Sequence, residues 1–126
     1  MSYDKDLVIE ILSQIIEAIE IVQKRCTFAK VEDDFCDTEE GQEKLDGICM
    51  KLVAVGESLK NIDKITDKKL LVQYPQVEWK KVKGIRDIIS HHYFDLDASV
   101  IYQICTEYLS DLLATLKKMK SDLENL

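Results

Sequence analysis

The sequence contains few of the residues that interrupt helices, with one proline and four glycines in 126 positions. It has no low-complexity tract, no internal repeat and no apolar run long enough to cross a membrane. No Cys-x-x-Cys pair occurs, which argues against a zinc site and against a set of disulfides. These absences predict long helices and no metal. The cysteines are expected to be reduced thiols in the core, and they are Cys26, Cys36, Cys49 and Cys105.

Size and composition predict one folded domain spanning residues 1–126. Hydrophobic residues make up 46% of the chain and charged residues 33%, which excludes wholesale disorder. A chain of this length buries a substantial core but is too short for two domains. The first six residues are acidic and polar, whereas a secretory signal begins basic and continues apolar. We therefore expect a cytoplasmic protein that does not associate with a membrane.

Apolar residues recur at steps of three and four along several stretches, which is the period of an amphipathic helix. No stretch shows the alternation that is typical of a strand. The predicted helices are residues 3–24, 39–61 and 68–72, one that begins at residue 77 and ends between residues 90 and 93, and a last one that begins after a cap at Asp95 or Asp97. Residues 27–38 are expected to form a connecting loop that ends in a cap at Asp37 or Thr38. The predicted fold class is all-α, a four- to five-helix up-and-down bundle.

Charge is unevenly distributed along the chain. The net charge of −7 argues against a general nucleic-acid binder. Between Lys60 and Arg86, however, eight basic residues stand against three acidic ones. Such a segment would attract a polyanion. Lysine is also a good solvated helix former, so the charge pattern by itself leaves both interpretations open.

Both histidines lie in one short stretch that also holds an arginine and a tyrosine: Arg86, His91, His92 and Tyr93. A permanent cation, an imidazole that titrates near neutrality and a phenol are side chains suited to the chemistry of phosphate esters. Asp87 lies four residues before His91, so the two would face each other on a helix. Asp87 would then either orient the imidazole or form an ion pair of no functional consequence.

Two features of the second predicted helix indicate close packing. Gly56 interrupts it without another helix breaker nearby, which suggests that a neighbouring helix approaches closely. Glu57 lies beside an apolar stripe and requires a cation, for which Arg86 is a candidate. The apolar stripes of the first and last helices are broad for a small bundle. Either they are buried within one chain, or an exposed face pairs with a second copy in a two-fold dimer.

The order Arg86, four residues, His91, one residue, Tyr93 resembles the Arg-x4-His-x-Tyr motif of HEPN-domain proteins, specifically the HepT-like (DUF86) group. Residues 54–58 resemble the family's Gly-Glu-Ala segment, and residues 74–79 resemble its Pro-x-x-x-Trp segment. The similarity covers about residues 4 to 120. One departure is His92, which stands where many members carry glycine and would add a second imidazole to the site.

The resemblance implies a HEPN-like bundle that dimerises so that two motifs share one cleft. It also implies a metal-independent ribonuclease without a cofactor, which acts as the toxin of a toxin–antitoxin pair and leaves a 2′,3′-cyclic phosphate. The antitoxin would be a small nucleotidyltransferase that transfers AMP to Tyr93. Arg86 would be the cation, His91 the base or acid, and Tyr93 the phosphate-positioning hydroxyl. The expected supporting residues are Asp87, His92 and Glu57, and the expected RNA-binding residues are Lys80, Lys81 and Lys83.

Two other functions remain open on the sequence. The chain could be a non-catalytic substrate-binding subunit of a nucleotidyltransferase complex. It could also be a dimeric helical scaffold, which would tolerate every change at Arg86, His91 and Tyr93.

Overall fold

The computed structural model describes residues 2–91 and 93–126, and within these residues the fold is all-α. This confirms the predicted class. The helices are α1 (Lys5–Cys26), α2 (Glu39–Ile65), α3 (Trp79–His91), α4 (Ala98–Gln103) and α5 (Leu109–Glu124). A π-helical turn, Ile104–Tyr108, joins α4 to α5 in one continuous element. None of the described helices combines the length and the apolar character needed to span a membrane.

Side-chain caps mark the starts of α1, α2 and α4. Asp4 accepts a hydrogen bond from the Leu7 N–H at 3.1 Å, and Thr38 accepts one from the Gly41 N–H at 2.9 Å. Asp97 caps α4 through the Ser99 N–H at 2.9 Å. Each cap satisfies a backbone donor that has no partner within its helix. Of the caps proposed from the sequence, the structure therefore selects Thr38 and Asp97.

Helix α2 packs on both α1 and α3, while α5 packs on α1. The core lies between these helices, and its side chains come from the apolar stripes recognised in the sequence. Fully buried members include Leu12, Ile15 and Ile19 of α1, Ile48, Leu59 and Ile62 of α2, and Leu116 and Met119 of α5. The stripes of α1 and α5 are thus buried within one chain.

The connection between α2 and α3 differs from the prediction. Helix α2 continues to Ile65, and Thr66 closes it by donating its backbone N–H to the Ile62 carbonyl. Asp67 and Lys68 have φ angles of 53° and 59°, a left-handed conformation that cannot belong to an α-helix. The predicted helix over residues 68–72 is therefore wrong, and a short 3₁₀ turn, Leu71–Gln73, takes its place.

The expectation of four reduced core thiols is wrong at three positions. Cys26, at the end of α1, and Cys105, in the π-helical turn, form a disulfide between residues 79 positions apart. Cys36 is exposed. Cys49 is buried as expected, and burial together with the charge of Asp46 raises the pKa of its thiol to about 12. A pairing over so long a separation leaves no mark in the local spacing of the cysteines.

Candidate functional site

Arg86 is held against α2 by close helix packing at Gly56. A Cβ atom on Gly56 would lie 2.8 Å from the Arg86 Cβ and 3.3 Å from the Lys83 carbonyl oxygen. Only glycine leaves room for α3 at this distance, as the sequence indicated. The next residue of α2, Glu57, forms an ion pair with the Arg86 guanidinium. The close approach therefore determines where the cation lies.

A second carboxylate completes the surroundings of Arg86. Its Nη1 donates to Asp87 Oδ1 at 3.0 Å, and Lys60 Nζ donates to both Asp87 oxygens at 3.3 Å. The hydrogen bond from Arg86, followed by that from Lys60, lowers the pKa of Asp87. In return, Asp87 and then Glu57 raise the pKa of Arg86. The site thus contains a guanidinium that is a permanent cation, with its side chain 34% exposed.

His91 is the last residue of α3 and is exposed. Within the described residues no hydrogen bond joins it to Asp87, whose oxygens bind Lys60 and Arg86 instead. Five positions separate Arg86 from His91, so the two side chains leave the helix about 140° apart. Arg86 faces α2, whereas His91 faces solvent. His92, proposed as a supporting residue, lies outside the described residues.

Tyr93 opens a 3₁₀ turn, Tyr93–Asp95, that follows α3. Its hydroxyl donates a hydrogen bond to the carboxylate of Asp46 on α2. This hydrogen bond, with smaller effects of burial and of the Asp46 charge, raises the pKa of Tyr93 to about 12. Tyr93 remains 43% exposed, and the neighbouring Phe94 is fully exposed. Tyr93 is therefore a neutral donor at physiological pH, and its ring is accessible from solvent.

Sequence reasoning missed Asp46, although one signal for it exists. Asp46 and Glu57 are eleven positions apart, which is close to three turns, so they lie on the same face of α2. This face holds Tyr93 at one end and Arg86 at the other, with anchoring positions about 16 Å apart along the helix. The Arg86 and Tyr93 side chains of one chain are consequently held at separate places.

The three lysines proposed to bind RNA do not form one patch. Lys83 pairs with Asp63 at 2.5 Å, on the side of α3 that faces α2. Lys81 lies on another side, with its Nζ 5.4 Å from the centre of the Tyr108 ring. Lys80 is exposed.

An apolar cleft of about 460 Å³ separates α3 from the element that contains the π-helical turn. Its floor includes Leu52 and Val55 of α2. Three apolar residues of its lining are partly exposed: Ile88 at 49%, Val100 at 40% and Tyr108 at 47%. Ile88 lies one turn before His91 on α3, so the cleft and the histidine share a region of the surface.

The known proteins that this chain resembles are described as ribonucleases. The family model described as "Ribonuclease HepT-like" matches residues 12–119. A "Probable ribonuclease HepT" of Thermococcus cleftensis is 28% identical over 109 residues, which is 86% of this chain and 92% of the relative. A "Putative RNase" of Methanocaldococcus jannaschii is 26% identical over 92 residues, 73% of this chain and 70% of the relative.

A longer protein of M. jannaschii, named "Gamma-glutamylcyclotransferase and putative RNase", is 28% identical over 113 residues. The match covers 90% of this chain but only 47% of that relative, so the chain spans about half of its length. No solved structure matches the chain.

Proposed function

The chain belongs to the HepT-like ribonuclease family, and from this premise we propose that it is a metal-independent RNA endonuclease whose site consists of Arg86, His91 and Tyr93. The observation that carries the proposal is the geometry around Arg86. Gly56 brings α3 against α2, and two carboxylates hold a permanent cation that is still accessible from solvent. The imidazole of His91 follows on the same helix.

Cleavage of RNA through its own 2′-hydroxyl needs a base, an acid and a fixed cation. A base removes the 2′-hydroxyl proton, the oxygen attacks phosphorus, and the bond to the 5′-oxygen breaks as an acid protonates that oxygen. The products are a 2′,3′-cyclic phosphate and a 5′-hydroxyl. Arg86 stabilises the charge that builds on the phosphoryl oxygens, and His91 acts as base or acid. The Tyr93 hydroxyl has one proton, so it donates its hydrogen bond to the phosphate in place of the Asp46 carboxylate.

One histidine cannot act as base and acid in the same step, which argues that a second copy of the chain contributes to the site. The geometry of the described residues supports the same conclusion. Arg86 and His91 leave α3 about 140° apart, and the anchors of Arg86 and Tyr93 are about 16 Å apart on α2. A homodimer that packs over the apolar cleft would cover Ile88, Val100 and Tyr108 and bring the partner's α3 towards this one. Such a dimer supplies two imidazoles to one cleft.

Tyr93 also fits a role as a modification site. The residue is 43% exposed beside the fully exposed Phe94, and its hydroxyl is hydrogen-bonded to the Asp46 carboxylate. Transfer of AMP to this oxygen would place bulk and negative charge where the RNA phosphate has to bind. The corresponding partner is a nucleotidyltransferase antitoxin, and the chain would then be the toxin of the pair.

The deciding experiment is cleavage of total RNA by purified, unmodified protein in excess EDTA. We expect fragments that end in a 2′,3′-cyclic phosphate. His91→Ala should lower the rate by about 100-fold or more, as expected for loss of a general acid or base. The control is Ser90→Ala, which changes the exposed neighbour of His91 and should cleave like the parent.

The dimer is tested on the same preparations by light scattering. Ile88→Glu should yield monomers that do not cleave RNA, whereas Val72→Glu, at an exposed apolar residue outside the cleft, should remain dimeric and active. Full activity of His91→Ala would refute the assignment of the catalytic base. A folded parent whose intact mass shows an unmodified Tyr93, yet which cleaves nothing, would refute the ribonuclease proposal and favour the non-catalytic substrate-binding subunit.

A further inference from the structure

A groove of about 490 Å³ runs between the C-terminal part of α2 and the N-terminal part of α3, and all its lining side chains are charged. They are Lys60, Asp63, Lys64, Asp67, Lys68 and Lys83. Four cations and two anions give the groove a net positive charge on a chain whose net charge is −7. It is distinct from the apolar cleft on the other side of α3.

Two of the four lysines have a structural partner. Lys83 pairs at 2.5 Å with Asp63, whose side chain is only 12% exposed. A carboxylate buried to this degree requires a cation, so this pair serves the packing of α2 on α3. Lys60 shares the Asp87 carboxylate with Arg86. These contacts fix the floor and one end of the groove.

The other two lysines, Lys64 and Lys68, are exposed and form no ion pair with any described residue. The turn after α2 holds Lys68 at the groove. Its N–H donates to the Asp63 carbonyl at 2.8 Å, and its φ of 59° follows one of 53° at Asp67. Left-handed backbone of this kind usually carries glycine, yet here it carries two charged side chains. Lys64 and Lys68 thus have charges available to a ligand.

The groove continues directly from Arg86. Asp87 Oδ1 accepts hydrogen bonds from Arg86 Nη1 at 3.0 Å and from Lys60 Nζ at 3.3 Å. Lys64 lies one helical turn beyond Lys60, about 6 Å along α2, and Lys68 follows after the helix end. The cations therefore form a line that leads away from the proposed cleavage site.

We propose that this groove binds the sugar-phosphate backbone of the RNA strand on one side of the cleaved phosphate, with Lys64 and Lys68 neutralising two phosphates. The inference rests on the proposed function. No aromatic side chain of the described residues lines the groove, so bases are not stacked there. Recognition is through the backbone, positions the strand and does not depend on its sequence.

The test measures binding of a fluorescent 2′-O-methyl RNA oligonucleotide by anisotropy across a range of salt concentrations. This probe lacks the nucleophilic hydroxyl, so binding to the active protein is measured without cleavage. Removal of two phosphate contacts in Lys64→Gln/Lys68→Gln should reduce the slope of log K against log salt by about 1.4. At about 0.1 M salt this corresponds to roughly 25-fold weaker binding.

The control is Lys24→Gln/Lys51→Gln, which has the same net charge. Lys24 lies near the far end of α2, since the Arg25 side chain contacts Gly47, and Lys51 is on the opposite side of α2 from Lys60. Lys64→Arg/Lys68→Arg should restore the parental slope, because only charge is required. If the groove variant and the charge-matched control have the same slope, the groove proposal is overturned.

Cleavage of natural RNA, measured separately, keeps the two proposals apart. If the parent cleaves RNA while the groove variant binds the probe like its control, the ribonuclease proposal stands and the groove proposal is rejected. A parent that binds the probe through Lys64 and Lys68 but does not cleave would reject the catalytic proposal and support the groove.

Discussion

Replacement of Gly56 by alanine tests the helix contact on which the position of Arg86 depends. The new Cβ would lie 2.8 Å from the Arg86 Cβ and 3.5 Å from the Arg86 backbone nitrogen. The first distance is shorter than two carbons can tolerate, and neither atom belongs to the flexible end of a side chain. Helix α3 would therefore have to move away from α2, and Arg86 would move with it.

Two opposing effects determine the change in stability. Overpacking of this kind costs about 1–3 kcal/mol. Alanine in place of glycine inside a helix contributes about 1 kcal/mol of stability in return. We expect Gly56→Ala to lower the free energy of unfolding by up to about 2 kcal/mol. RNA cleavage should fall further than stability does, because the displaced residue is the proposed phosphate-binding cation.

The matched control is Gly84→Ala in α3. No described atom outside its own helix backbone and chain neighbours comes within 4 Å of a Cβ built there, so only the helix-propensity gain applies. It should raise the free energy of unfolding by up to about 1 kcal/mol. Urea unfolding of both variants at one protein concentration measures the difference. Equal stabilisation by the two substitutions would show that α3 does not approach α2 as described, and would refute the reasoning about Arg86.

Two further predictions follow from contacts outside Arg86. Asp46→Asn should lower the pKa of Tyr93 from about 12 towards the ordinary 10, measured as the ultraviolet titration difference against Tyr93→Phe; an unchanged titration would contradict the hydrogen bond. Because the folded pKa is the higher one, this contact stabilises the fold below pH 10 and is lost as pH rises through about 12. Reduction of the Cys26–Cys105 disulfide should lower the free energy of unfolding by about 2–4 kcal/mol. Four titratable thiols in the denatured protein before reduction, in place of the two expected, would show that the bond is absent.

The helices could be predicted because the residues that determine each helix lie close together in the sequence. Apolar residues at steps of three and four give the buried face of α1 and α2, and Thr38 and Asp97 mark helix starts by chemistry that acts over three residues. The close contact at Gly56 could also be predicted from the sequence, since an isolated glycine within a helical pattern lowers helix stability unless a packing contact requires it. The pairing of Glu57 with Arg86 followed from the same position.

Other parts of the site depend on contacts between distant residues and could not be read from local spacing. The partner of Tyr93 is Asp46, which lies 47 positions earlier in the chain, and Cys26 joins Cys105 over 79 positions. The spacing on α3 paired Asp87 with His91, either to orient the imidazole or as an ion pair of no functional consequence. The nearby cations Lys60 and Arg86 bind its carboxylate instead.

The π-helical turn has a consequence for the length of the chain. Buried residues in the last helical element normally follow at steps of three or four, but five positions separate Ile104 from Leu109. Loss of one residue between them would restore the ordinary four-residue step, so both halves of the element would keep the same face on the core. The same deletion within α5 would rotate every later side chain by about 100°. The wide turn is thus the point at which this helix can become shorter without a change of phase.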